Sequence, residues 1–131
     1  MSWYFLKQKL EELERKKGMK KVYIAGKLSG KEIDYIDNMR DMIKTANMVR
    51  EAGYAVYVPC LDFMMGLVCG DWKYEDYFNN NFSFISSCNY MFVCDGSENS
   101  KGTQREIACA KELGMEVFWN LATLLAWDKK F

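Results

Sequence analysis

The chain has 131 residues, half of them apolar and 15% aromatic, which suits one domain around one core and excludes an intrinsically disordered segment. Eighteen basic residues balance 18 acidic ones, so no net field draws the molecule to duplex nucleic acid or an anionic membrane, and a small-molecule ligand is expected. Histidine is absent, which excludes Ser-His, Cys-His and His-metal chemistry and leaves carboxylates, Lys, Tyr and Cys for acid–base work; neither a metal nor a cofactor is expected.

The cysteines Cys60, Cys69, Cys88, Cys94 and Cys109 are odd in number, include no C-x-x-C pair and sit mostly in apolar runs, so they read as small buried hydrophobes in a reducing cytoplasm. The first 18 residues lack a signal-peptide core, and no apolar run approaches the roughly 18 residues that cross a bilayer. The expected location is cytoplasmic, with no membrane partner.

Trp3-Tyr-Phe-Leu6, Leu10 and Leu13 predict an amphipathic helix over 2–17, stopped by Gly18. Residues 1–18 therefore read as an appendage to a domain spanning 19–131, with the apolar stripe packed on that domain or, alternatively, on an oligomer partner. Lys21-Val-Tyr-Ile-Ala25 predicts a strand leading into a glycine-bearing turn at Gly26, Ser29 and Gly30. Ile36, Met39, Ile43, Ala46 and Val49 then mark a helix capped by Gly53, and 54–58 a second strand ended by Pro59, the chain's only proline.

Residues 60–73 read as a long loop over the site. From Tyr74 to Ser87 the aromatic spacing predicts a helix with Asn81 on its apolar face, three residues after Phe78 and four before Ile85. A third strand over 90–94, a helix opening at Gly102 or Thr103 and capped by Gly114, a fourth strand over 116–119 and a helix over 121–127 follow. Strands alternating with helices predict an α/β fold with a parallel sheet of four to five strands covered on both faces.

Ligands of such sheets bind beyond the strands' carboxyl ends. There the Gly26–Gly30 turn and the 95–106 loop are candidates for approaching a phosphate through small residues and helix-terminal amides. Thr103-Gln-Arg-Glu106 also spells a capping box, a structural use for Glu106.

Val22-Tyr-Ile-Ala-Gly26 with Ser29-Gly30, Gly70-Asp-Trp-Lys-Tyr-Glu-Asp-Tyr77, and Ser100-Lys-Gly-Thr-Gln-Arg-Glu106 followed by Ala108 and Ala110 resemble, in order and spacing, the nucleoside 2-deoxyribosyltransferase-like superfamily, closest to its short phage and bacterial members. The resemblance covers about residues 20–119 and leaves the first helix unmatched. It implies a flavodoxin-like (Rossmann-like) domain, homodimeric or larger, that hydrolyses or exchanges the base–sugar bond of a (deoxy)nucleoside 5′-monophosphate. Glu106 matches the nucleophile that attacks C1′, and a carboxylate suits an oxocarbenium-like transition state. Ser29, Gly30, Ser100 and Gly102 match the surroundings of the phosphate, with Gly26 in the same loop system, and Tyr23 an aromatic near the base.

Where relatives commonly carry two Asp residues eight apart, this chain has Asn81 and Asn89. An amide cannot protonate a departing base, so Asn81 marks a slow enzyme, a binder or a substitution that traps ligand. The alternative is thus a weakly catalytic or inactive protein that sequesters a nucleotide. A third reading is an interaction module built on the first helix.

Overall fold

The computed structural model describes residues 2–15, 18–28 and 32–129. Four parallel strands, β1 (Lys21–Ala25), β2 (Ala55–Tyr57), β3 (Tyr90–Val93) and β4 (Glu116–Phe118), form one sheet in the order β2-β1-β3-β4. Val22 pairs with Val56 on one side and Tyr90 on the other, so β1 is central. Covered on both faces, its run Val-Tyr-Ile-Ala is wholly buried, the pattern of a parallel core strand.

Alternation along β1 assigns its side chains to two layers. Val22 and Ile24 join Met42, Ala46, Val49, Phe118 and Leu124 beneath α2 (Glu32–Glu51) and α6 (Leu121–Asp128). Tyr23 and Ala25 face Ile85, Ile107 and Ala110, from α4 (Tyr74–Ile85) and α5 (Lys101–Glu112). This alternation aims Tyr23 at α5.

Three expectations are corrected. The inward stripe of α2 is Met39, Met42, Ala46 and Val49, whereas Ile43 is 45% exposed and Ile36 64%. Ile43 lies about 100° around the helix from Met42, at the stripe's edge, and Ile36 extends past the sheet to the cleft described below.

Residues 60–69 are not a loop but a helix, α3 (Cys60–Cys69), closed by Gly70 at φ 75°, whose N–H donates to the Gly66 carbonyl. Leu61, Met64, Met65, Leu67 and Val68 are all exposed, so α3 lacks the polar face that makes a helix readable. Gly66 persists inside it because Tyr77 packs there: a Cβ would sit 1.6 Å from the Tyr77 hydroxyl.

The third correction concerns α1 (Trp3–Arg15), whose stripe does not pack on the domain: Trp3, Leu6, Leu10 and Leu13 are exposed. Cys69 is likewise exposed, while Cys60 and Cys94 are buried, and all five cysteines are free. Among the described residues no helix is long and apolar enough to cross a membrane.

At the amino-terminal edge of the sheet, Asp128 accepts hydrogen bonds from Lys20 (2.7 Å), Tyr54 (2.7 Å) and Tyr90, tying the end of α6 to the sheet. Burial alone would raise the Asp128 carboxyl; the bonds from Lys20, Tyr90 and Tyr54 outweigh it and hold its pKa near 2.

Candidate functional site

A cleft of about 920 Å³ opens at the carboxyl ends of the strands, between α2 and α3 on one side and α4 and α5 on the other. Glu106, Asn81, Gly26, Ser100 and Gly102 all line it. Ser29 and Gly30 lie outside the described residues. Glu106 is the only carboxylate among the described lining residues, which include neither Lys nor Arg.

Ser100, not Thr103, caps α5: its hydroxyl accepts from the Thr103 N–H at 3.3 Å. The helix therefore starts at Lys101, earlier than the sequence reading, and Glu106 falls in its second turn, where no capping box holds it. Its carboxylate instead accepts a hydrogen bond from the Tyr23 hydroxyl. Burial pushes the Glu106 pKa up to about 7, and the Tyr23 bond opposes that rise.

Tyr23 departs from its expected place beside the base. It is fully buried and does not line the cleft, because the alternation of β1 turns it beneath α5. It positions Glu106 from below. Its own hydroxyl is pushed up by burial and by the facing carboxylate, so Tyr23 stays a donor.

Behind Tyr23 lies a polar cluster absent from the sequence reading. Tyr57 stacks on Tyr23 at 5.4 Å and on Phe84 at 4.3 Å, and its hydroxyl donates to the Asp62 carboxylate at 2.9 and 3.1 Å. Asn80 Nδ2 donates to Asp62 at 2.8 Å, and Asn81 Oδ1 lies 3.4 Å from the Tyr57 hydroxyl. Asp62 is 7% exposed and is the one charged residue of α3, a signal that taking 60–73 as a loop obscured.

The two asparagines do not come together. Asn89 sits at the amino-terminal end of the sheet, where its side chain accepts from the Lys21 N–H at 2.8 Å. Asp95 borders a separate recess with Lys27 and Ser97, and Glu98 is exposed on the 95–100 loop.

The walls are built for close approach. A Cβ on Gly26 would meet Cys94 Sγ at 3.0 Å and Met42 Cε at 3.1 Å, so only glycine leaves this floor undisturbed. Arg105 pairs with Glu75 at 3.0 Å and lies 3.5 Å over the Phe78 ring, fixing α4 against α5. Two buried hydroxyls on residues of the cleft, Tyr35 Oη and Thr103 Oγ1, have no hydrogen-bond partner among the described residues.

Residues 20–119 match the family described as "Domain of unknown function (DUF4406)". The chain belongs to this family. Its matched segment begins just before β1 and ends just after β4, leaving α1 and α6 outside. No curated protein matches the chain. Among solved structures it is similar to a 2-deoxyribosyltransferase from Bacillus psychrosaccharolyticus, at 17% identity and a TM-score of 0.54, over 74% of this chain and 69% of that one. The shared property is the fold, a parallel sheet with helices on both faces.

Proposed function

We propose that the protein cleaves or exchanges the N-glycosidic bond of a (deoxy)nucleoside 5′-monophosphate, with Glu106 as nucleophile. The observation that carries this reading is the Glu106 carboxylate at a cleft wall, held by the Tyr23 hydroxyl rather than by its own helix terminus. Ionised Glu106 attacks C1′ as the C1′–N bond breaks, and the bonding electrons leave with the base. The resulting glycosyl ester is then attacked by water, giving hydrolysis, or by a second base, giving transfer. A carboxylate stabilises the positive charge developing at C1′ in both steps.

The α5 amino terminus, with Ser100 and Gly102 in the cleft, offers N–H donors and a favourable dipole to the 5′-phosphate. Ser29 and Gly30 belong to the same proposal through the sequence resemblance. Asn81 orients sugar or base but cannot protonate the leaving group. The absence of a second carboxylate among the described lining residues favours the other reading, a protein that holds a nucleotide and turns it over slowly or not at all.

Incubation with a panel of nucleosides and 5′-monophosphates, with chromatography for free base, tests both. Base release from a monophosphate supports the enzyme; saturable binding without release supports the binder; neither supports abandoning the nucleotide.

A further inference from the structure

The apolar residues along α1 follow a spacing of their own. Trp3, Leu6, Leu10 and Leu13 are separated by three, four and three residues, the alternation of the a and d positions of a heptad, and all four are exposed. A helix packed on a globular core carries a broader apolar stripe, whereas a seam of a and d alone is what two helices wound about each other present. Beside the seam, the aromatic residues at b and c are engaged within the helix: Gln8 donates to the Tyr4 hydroxyl at 3.0 Å, and Lys9 lies 5.7 Å over the Phe5 ring.

The uncovered seam matters because α1 has 13 residues, and isolated helices below about 12–15 residues are marginal in water. α1 also precedes the 20–119 segment that matches the family, and none of its residues lines the cleft.

The charges beside the seam favour one occupant. With Trp3 and Leu10 at a, Lys9 takes the g position, and Lys7 and Glu14 take the e positions. In a parallel pair of helices a g residue meets the e residue five places further along its partner, so Lys9 of each copy faces Glu14 of the other. In the fully overlapped antiparallel pair g meets g and e meets e, which sets Lys9 against Lys9 and Lys7 against Lys7. Parallel self-pairing is thus the arrangement in which the flanking charges attract. An anionic lipid surface is a poorer cover, since Glu11, Glu12 and Glu14 share the polar side with Lys7 and Lys9.

We propose that α1 forms a parallel two-stranded coiled coil with α1 of a second copy, each of Trp3, Leu6, Leu10 and Leu13 packing against the same residue of the other helix. Four layers make a short seam, so the association is expected to be reversible.

The test is disulfide trapping in the full chain under mild oxidation, followed on non-reducing gels. Leu10→Cys is expected to trap most of the protein as a dimer, because position 10 of one copy faces position 10 of the other. Gln8→Cys, at the outward f position, and the unaltered protein, whose Cys69 is exposed, are expected to trap little. Trapping of Leu10→Cys no faster than of Gln8→Cys overturns the proposal and leaves α1 to a different partner. Cross-linking in a mixture of Leu6→Cys and Leu10→Cys, when neither variant cross-links alone, is the antiparallel outcome and overturns it as well. Charge is read separately by sedimentation equilibrium: Lys9→Glu is expected to weaken self-association about 3- to 10-fold, and Lys9→Glu combined with Glu14→Lys to restore it to within about twofold. A Lys9→Glu chain that associates as the unaltered one does, or a charge swap that fails to restore association, overturns the parallel register.

Discussion

The Tyr23 hydroxyl on β1 donates a hydrogen bond to the Glu106 carboxylate on α5, so a fully buried strand residue sets the position of a carboxylate that borders the cleft. Two opposing influences meet on that carboxylate. Burial disfavours its charge and the tyrosine bond favours it, leaving the pKa at about 7.

Activity that needs ionised Glu106 is therefore expected to rise with pH through an acid limb near 7 in kcat/KM. Tyr23→Phe removes the influence that lowers the pKa, so the limb moves to higher pH and the rate at neutral pH falls. The linked stability runs the other way. A carboxyl whose folded pKa lies above its ordinary 4.5 contributes stability below that value and loses it as pH rises toward 7. Glu106→Gln should accordingly gain stability relative to the unaltered protein between pH 5 and 8, read by denaturant melts across that range.

Asn81→Asp places a carboxyl on the cleft wall, where under the proposed mechanism it would protonate a departing base. Base release is expected to increase by about tenfold or more, up to the 10²–10⁴-fold that general acids supply. Steady-state assays of release and equilibrium binding separate the outcomes: an inert variant of a protein that binds nucleotide tightly favours the binder, and substantial release by the unaltered protein assigns the proton to water or another group.

Asp128 predicts an acid transition unrelated to catalysis. Its folded pKa near 2 lies below the ordinary 3.8, so its contribution is complete above about pH 4 and lost as pH falls toward 2. Asp128→Asn should lower the melting temperature at pH 7 by several degrees and flatten this acid limb. Nucleotide binding should be unchanged, since the cluster is at the sheet edge opposite the cleft. Calorimetry from pH 2 to 7 checks the first two points and ligand titration the third.

Assembly is the fourth expectation. Ile33 on α2, Met64, Met65 and Val68 on α3, and Trp3, Leu6, Leu10 and Leu13 on α1 are large apolar side chains left exposed. We propose a homodimer or larger homo-oligomer. Light scattering at micromolar concentration should show it, with Met65→Asp or removal of residues 1–17 reducing the mass; a monomer unaffected by either change contradicts it.

The sheet and α5 were legible because β1, β3 and α5 carry their periodicity locally and Gly26 and Gly114 close β1 and α5, although the Ser100 cap that starts α5 was hidden behind the capping-box pattern at Thr103. α3 was not, because its exposed Leu, Met and Val residues erase the contrast between faces, and Gly66 looks like a breaker until Tyr77 is seen against it. Glu106, Asn81, Ser100 and Gly26 were legible through motif spacing and do share the cleft. The Tyr23 contact and the Asp62 cluster were not: they depend on which face of β1 meets α5 and on a helix the pattern hid. Asn89 shows the converse, since a spacing of eight residues across a helix end and a strand start leads to the far edge of the sheet.

The most direct measurement is intact-protein mass spectrometry after acid quench of the protein with the nucleoside 5′-monophosphate from which it releases base, alongside Glu106→Gln. The account predicts an added mass of one sugar phosphate, localised by digestion to the peptide containing Glu106, with neither adduct nor base release in a Glu106→Gln variant that still binds the nucleotide. Base release of equal rate from Glu106→Gln, with no adduct on the unaltered protein, contradicts it.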